Sequence, residues 1–263
     1  MHKSMRIPTV AIINQKGGVG KTTTSINLAC GIAMSGKSVL LIDLDPQAHS
    51  TTVLGCIHDS IRATIQDVLI KKVSIKEVIC KTCIDNLDLA PADLYLHKAE
   101  HLLIQEIFRE TRLSNALSNL EYEFIFIDCR PTLGILSVNA LYASNIVLIP
   151  CETARFSLEG FSDLLDAIKL VKRGNQVTSE CLLRILFCKY DSRKSISNEW
   201  VMKQLEPYRS MLFMTYIRQC EALNQAHMAK EPIFKFKPGS HGAEDYAYLT
   251  REFLSLCSQS EIN

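Results

Sequence analysis

Residues 16–22 read Lys-Gly-Gly-Val-Gly-Lys-Thr, and what stands on either side of them restricts the fold sharply. Upstream, Thr9 to Ile13 is a β-branched run without alternation, the pattern of a strand buried on both faces. Downstream, Thr23 to Ser35 sets Ile26, Leu28, Ile32 and Ala33 at helical spacing. A strand, a glycine-rich loop and a helix in that order form a cradle for phosphate. Glycines reach backbone conformations closed to other residues and let amides approach an anion closely. The helix start adds unpaired N–H groups and a partial positive charge. The nucleotide seat then runs over Lys16, Gly17, Gly18, Val19, Gly20, Lys21, Thr22 and Thr23. In it Lys21 reaches the terminal phosphates and the Thr22 hydroxyl completes a magnesium shell.

Two acidic motifs follow at the ends of buried strands. After Gly36, a natural helix cap, Ser38 to Ile42 reads as the second strand and delivers Asp43-Leu-Asp-Pro-Gln47. Open parallel sheets bind ligands beyond the carboxyl ends of their strands, so Asp43 and Asp45 face the phosphate loop's crevice. Taken alone, two acids after a strand also serve simply to open a turn. Further on, Glu123 to Asp128 is a hydrophobic strand closed by an aspartate. A carboxylate so placed holds magnesium directly or through water.

The loop departs from the common Gly-x4-Gly-Lys-Ser/Thr form, because Gln15 replaces the first glycine and Lys16 follows it. In this form it resembles the deviant Walker A loop of the ParA/MinD family of ATPases, and Asp43-Leu-Asp-Pro-Gln47 resembles that family's second signature. The resemblance covers roughly residues 6 to 256. It implies ATP and Mg2+ as ligands, with Lys16 reaching across an interface to the nucleotide of a second subunit in an ATP-dependent homodimer. It gives Asp45 the attacking water, Asp43 support of magnesium and its waters, and the backbone at Arg218 and Cys220 contact with adenine. It further implies slow hydrolysis in plasmid or chromosome partitioning, stimulated by a ParB-like protein bound to a centromere-like site. Two departures stand out. The family has Asp-x-Pro-Pro where this chain has Asp128-Cys-Arg-Pro131, which brings Arg130 toward the γ-phosphate region. The family's Pro-Arg-Asn and second arginine are replaced by Arg218-Gln-Cys-Glu-Ala222, so the arginine used for nonspecific DNA contact is Ala222 here.

The expected fold is α/β, a three-layer, doubly wound, mostly parallel sheet of the P-loop NTPase type. Residues 1–263 are read as one domain without a separate N-terminal helix-turn-helix. Further strands are expected at 87–90, 145–150, 182–190 and 212–217. Helices are expected at 64–70, 75–80, 94–120 with a break at 109–112, 132–143, 156–172, 197–208 and 244–256. A net charge of +1 leaves no electrostatic footprint for nucleic acid over the whole molecule. No run of about 18 apolar residues suggests a membrane span, and the N-terminus lacks a signal peptide's apolar core, so a cytoplasmic protein is expected.

Ten cysteines, including Cys30, Cys129, Cys151, Cys181 and Cys188 in apolar runs, read as small buried hydrophobes rather than disulfides. Cys80-x2-Cys83 and His97-x3-His101, 13 residues apart, have zinc-finger spacing. The strand between them would separate the pairs by on the order of 15 Å, too far for ligands about 2.3 Å from one metal. Three other functions share parts of the pattern. A MinD-like positioning ATPase needs a basic amphipathic tail, and residues 250–263 carry little positive charge, so no stable membrane anchor is expected. An iron–sulfur electron donor needs bridging cysteines, and residues 131–145 contain none. A nucleotide-gated binding module that scarcely hydrolyses ATP fits the departures at Arg130 and Ala222.

Overall fold

A computed structural model describes residues 7–56, 63–152, 158–174 and 181–260. Seven strands form one sheet in the order β3-β4-β2-β5-β1-β6-β7. They are β1 (Thr9–Ile12), β2 (Val39–Leu44), β3 (Cys80–Lys81), β4 (Leu87–Ala90), β5 (Phe124–Cys129), β6 (Ile146–Glu152) and β7 (Leu182–Cys188). All pairings are parallel except the antiparallel edge pair β3–β4. The helices between them are α1 (Lys21–Met34), α2 (His49–Leu54), α3 (Ile65–Lys71), α4 (Ile75–Val78), α5 (Leu96–Leu103), α6 (Arg112–Leu117), α7 (Ile135–Ala143), α8 (Leu158–Gly174) and α9 (Ser195–Gln204). After β7 and α9 come α10 (Glu221–Met228), α11 (Ile233–Phe236) and α12 (His241–Ser260).

Strand parity sorts the core into two layers, because successive side chains point to opposite faces. Ala11, Leu40, Ile42, Ile125 and Ile127 pack with α3, α5, α6, α7 and α8. Val10, Ile12, Val39, Leu41, Phe124 and Phe126 pack with α1 and α12. The near-continuous apolar strands follow from coverage on both faces. Asp43 and Asp128 share the parity of Val39, Leu41, Phe124 and Phe126, so both point toward α1. Close packing there is tight enough to be tested. A Cβ on Gly31 of α1 would overlap Thr250 Oγ1 of α12. Gly31→Val should therefore lower stability by about 1–3 kcal/mol, read as a reduced urea midpoint.

Several boundaries differ from the sequence expectation. Residues 48–84, read as a mixed connection with two or three short helices, hold three among the described residues, α2, α3 and α4, and in addition the edge strand β3, which was not expected. The expected helix 75–80 stops at Val78, since Cys80 pairs with Leu89 in the sheet. The expected break at 109–112 coincides with a 3-10 turn at Arg109–Thr111, but the helices on either side are shorter than expected, α5 ending at Leu103 and α6 at Leu117. Residues 212–217 make no strand: Leu212 forms an isolated bridge with Ile185, and Arg218, just beyond the segment, forms another with Tyr190. The expected start of α8 at Phe156 lies outside the described residues.

Cys30, Cys129, Cys151 and Cys188 are buried free thiols, and Cys181 is half-buried. The general expectation against disulfides fails at Cys56 and Cys80, which are bonded across 24 residues. The α2 turn brings Cys56 beside edge strand β3, a proximity that spacing alone does not reveal. That bond occupies Cys80, while Cys83 is exposed and the His97 and His101 rings meet edge-on with centroids 5.2 Å apart. The zinc-finger spacing does not become a four-ligand cluster among the described residues.

Candidate nucleotide site

The loop from Ile13 to Gly20 is held from both sides. Asn14 Nδ2 donates to the Pro150 carbonyl at 2.7 Å, and Asn14 Oδ1 accepts from the Lys16 amide at 3.0 Å. Gly18 (φ 73°) and Gly20 (φ 98°) occupy the left-handed region, which admits other residues only with strain. The direction a Cβ would take at Gly17 is open space, so the loop presents bare backbone there. Val19 is buried and anchors the loop's floor. Helix α1 begins at Lys21, two residues earlier than its apolar spacing suggests, with Gly20 as its cap. Lys21 Nζ donates to the Lys16 carbonyl at 3.1 Å, inside the curve of the loop. Burial pushes the Lys21 ammonium below the usual lysine range, and the nearby Asp128 carboxylate opposes that shift.

Parallel register sets Asp43 of β2 directly beside Asp128 of β5. Both are buried. Asp43 Oδ2 accepts the Thr51 amide and hydroxyl, each at 2.8 Å, and Oδ1 accepts the Asp45 amide at 3.2 Å. Asp128 accepts Ser25 Oγ at 3.0 Å and Ser50 Oγ at 2.7 Å, with a further hydrogen bond from the Thr22 hydroxyl. Burial, and then the Asp128 charge, push the Asp43 carboxyl up to about 7. Burial also raises Asp128, against the hydroxyls that favour its charged form. Two neighbouring buried carboxylates with a threonine hydroxyl are an all-oxygen donor set suited to a hard divalent cation. Asp45 is half-buried beyond the strand end, its Oδ1 accepting the Gln47 amide at 3.0 Å. Lys21, Thr22, Asp43, Asp45 and Asp128 therefore lie together, and Lys16 stands in the loop above them.

The structure adds residues that sequence reasoning missed. Ser50 and Thr51 lie on α2, and Ser25 one turn into α1, each bonded to a site carboxylate. Their signal was a Ser-Thr-Thr run just after Asp45-Pro-Gln47, but hydroxyls in a loop-like stretch are too common to single out. Lys189, at the end of β7 with φ 54°, donates to the Gly18 carbonyl at 2.7 Å and lies 3.7 Å from Glu152. Nothing local marks it, since strand order alone brings β7 to the loop. Cys188 Sγ lies 3.4 Å from where a Gly20 Cβ would stand, and Thr24 shares a hydrogen bond with buried Tyr246 at 3.1 Å. These contacts brace the loop from below. Lys189→Met should weaken ATP binding about threefold to tenfold, a modest effect because the ammonium is half in water. A fluorescent-nucleotide titration measures it, and unchanged affinity would remove Lys189 from the site.

The 218–222 segment is tied differently. The Arg218 amide donates to Asp245 Oδ2 at 2.8 Å, and its guanidinium pairs with Asp245 and Glu244. Cys220 caps α10, and its carbonyl accepts the Leu223 amide at 3.2 Å. Ala222 is buried.

A doubly wound, mostly parallel sheet with this loop and these carboxylates is the architecture of a P-loop NTPase. A family model described as an AAA domain matches residues 7–180. The chain is 37% identical over 246 residues to the sporulation initiation inhibitor protein Soj of Bacillus subtilis, covering 92% of this chain and 96% of that protein. It is 38% identical over 254 residues to the chromosome-partitioning ATPase Soj of Treponema pallidum, covering 95% and 98%. Among solved structures, cobyrinic acid a,c-diamide synthase from Mycobacterium smegmatis, bound to ADP and magnesium, is 30% identical with a TM-score of 0.72, covering 84% of this chain and 89% of that one. The chain belongs to the Soj/ParA family of partitioning ATPases.

Proposed function

We propose that this chain is an ATP-dependent switch that hydrolyses ATP slowly and partitions plasmid or chromosomal DNA. The observation that carries the proposal is the pairing of Asp43 and Asp128 in register beneath Lys21 and Thr22, which matches the donor set of a magnesium–nucleotide site. In this reading residues 16–23 bind the phosphates, with Lys21 on the terminal ones, while Thr22, Asp43 and Asp128 hold magnesium and its waters. When bound, magnesium neutralises charge developing on the phosphate oxygens. Asp45 holds the attacking water, and Lys16 serves the nucleotide of a second copy, so that ATP joins two subunits. The backbone at Arg218 and Cys220 borders the adenine. The 263 residues act as a single ATPase domain, with a ParB-like protein as the stimulating partner. No helix among the described residues is long and apolar enough to cross a membrane.

Nonspecific DNA binding is the weakest part of the family pattern in this chain. Ala222 is buried and the Arg218 charge is taken up by Asp245 and Glu244. That favours a second reading, a nucleotide-gated module that docks on protein rather than DNA. Sedimentation without nucleotide, with ADP and with ATP plus magnesium, each with and without duplex DNA, separates the two. A dimer that forms only with ATP and coats DNA supports partitioning. An ATP-dependent dimer that ignores DNA supports the second reading, and no nucleotide response sinks both.

The raised Asp43 carboxyl yields a pH prediction. A divalent cation must displace its proton, so magnesium affinity should rise as pH increases from about 6 to about 8, by at most about tenfold per unit below the pKa. The cation-free fold holds this proton more tightly than the unfolded chain, since the folded value of about 7 exceeds the ordinary 3.8. Its contribution to stability is fully present below about 3.8 and is lost as pH rises from there through about 7. Calorimetry in buffers of different ionisation enthalpy should find proton release on magnesium binding at pH 6.5, reduced in Asp43→Asn. A flat pH profile would exclude this site as the cation's seat.

A further inference from the structure

The loop after Asp128 carries an ion pair that the site described so far does not use. Arg130 Nη1 bonds Glu100 Oε2 of α5, and the two side chains are only 19% and 14% exposed. Charged groups are seldom so enclosed unless paired. Glu100 sits among Leu96, Ala99 and Leu103, which bury α5 against the core, so its carboxylate is fixed by a packed helix face. The same carboxylate fills the space beside Gly134, where a Cβ would overlap Glu100 Oε1. Glu100 thus touches both ends of the segment 130–134. Beyond it, the Ser137 hydroxyl donates to the Thr132 carbonyl, and Asn139 Oδ1 accepts the Leu113 amide at 3.1 Å, tying α7 to α6. Before it, Asp128 is held by Ser25 and Ser50. The segment between these fixed points contains Pro131 and Thr132, both exposed. Arg130 ties the start of this stretch to α5.

We propose that Glu100 is a positioning residue for ATP hydrolysis, acting through Arg130 to clasp the 130–134 loop at the rim of the site. The proposal rests on the ATPase reading above. Neither residue is given a place on the nucleotide. Their effect is to restrict the backbone two residues beyond a magnesium carboxylate, where small displacements of reacting groups cost much rate. The pair also accounts for an arginine where the family has proline. Proline restricts this backbone covalently, and Arg130 restricts it through α5.

Turnover, KM and directly titrated ATP affinity should be measured on the full chain for wild type, Glu100→Gln, Arg130→Met, the neutral double variant and the charge swap Glu100→Arg with Arg130→Glu. Each single variant should lose about tenfold in kcat while KM and affinity stay within about twofold. The neutral double variant should lose no more than either single, because the two act as a unit. The swap should recover kcat to within about threefold of wild type. Unchanged kcat in Glu100→Gln would overturn the proposal. So would additive losses in the neutral double variant, or a kcat loss that follows a lowered melting temperature and is not recovered by the swap. A wild-type protein that binds but never turns over ATP would overturn the ATPase reading itself, whereas an active wild type with indifferent variants overturns the clasp alone.

Discussion

Lys21→Ala should lose at least about a hundredfold in ATP affinity while keeping its fold. Lys21 is only 7% exposed and its ammonium lies inside the loop on the Lys16 carbonyl, where few water molecules compete for it. Truncating one partner of a desolvated, hydrogen-bonded charge pair costs about 2–5 kcal/mol, which is the origin of the expected loss. The fold tolerates the change because burial already disfavours the Lys21 charge, and Asp128 keeps its bonds from Ser25, Ser50 and Thr22. Nucleotide titration with a parallel thermal melt provides the check. Wild-type affinity in a folded variant would show that residues 16–23 are not the phosphate seat.

Asp45→Ala should behave in the opposite way, binding ATP at near wild-type affinity and losing about 10²–10⁴-fold in turnover. Asp45 touches neither the loop amides nor the paired carboxylates' own oxygens except through its backbone, whose amide donates to Asp43. Removing its side chain therefore leaves the phosphate and cation groups in place. What disappears is the carboxylate proposed to orient water, and positioned acid–base groups contribute on that scale. With hydrolysis blocked, ATP should hold two subunits together, so sedimentation with ATP and magnesium should give a persistent dimer. Normal turnover would show that Asp45 is not catalytic. Loss of ATP binding would show instead that its role is to shape the Asp43 side of the site.

The phosphate loop was legible because its chemistry is local. Gly18 and Gly20 need positive φ, and Lys21 and Thr22 follow at once in the chain. Asp43 and Asp128 were legible as strand ends, and parallel register then aligned them. The supporting hydroxyls were not. Ser50 and Thr51 sit on α2, a six-residue helix too short to show a period, and matter only because the chain folds back beneath β2 and β5. Strand 212–217 failed for a related reason. Its apolar residues fit a strand, but Leu212, Phe213 and Ile217 touch β7 only at scattered backbone positions.

The amino-acid sequence by itself determined the layered α/β fold, the glycine-rich loop and the acids that close β2 and β5. Those depend on hydrophobic period and on groups close in the chain. Tertiary structure alone decided which distant groups meet. Lys189 reaches Gly18 across 171 residues, Arg130 meets Glu100 across 30, and Asp245 claims Arg218 across 27. Polar side chains carry no periodic mark of their partners, and only sheet order and helix packing bring these pairs together.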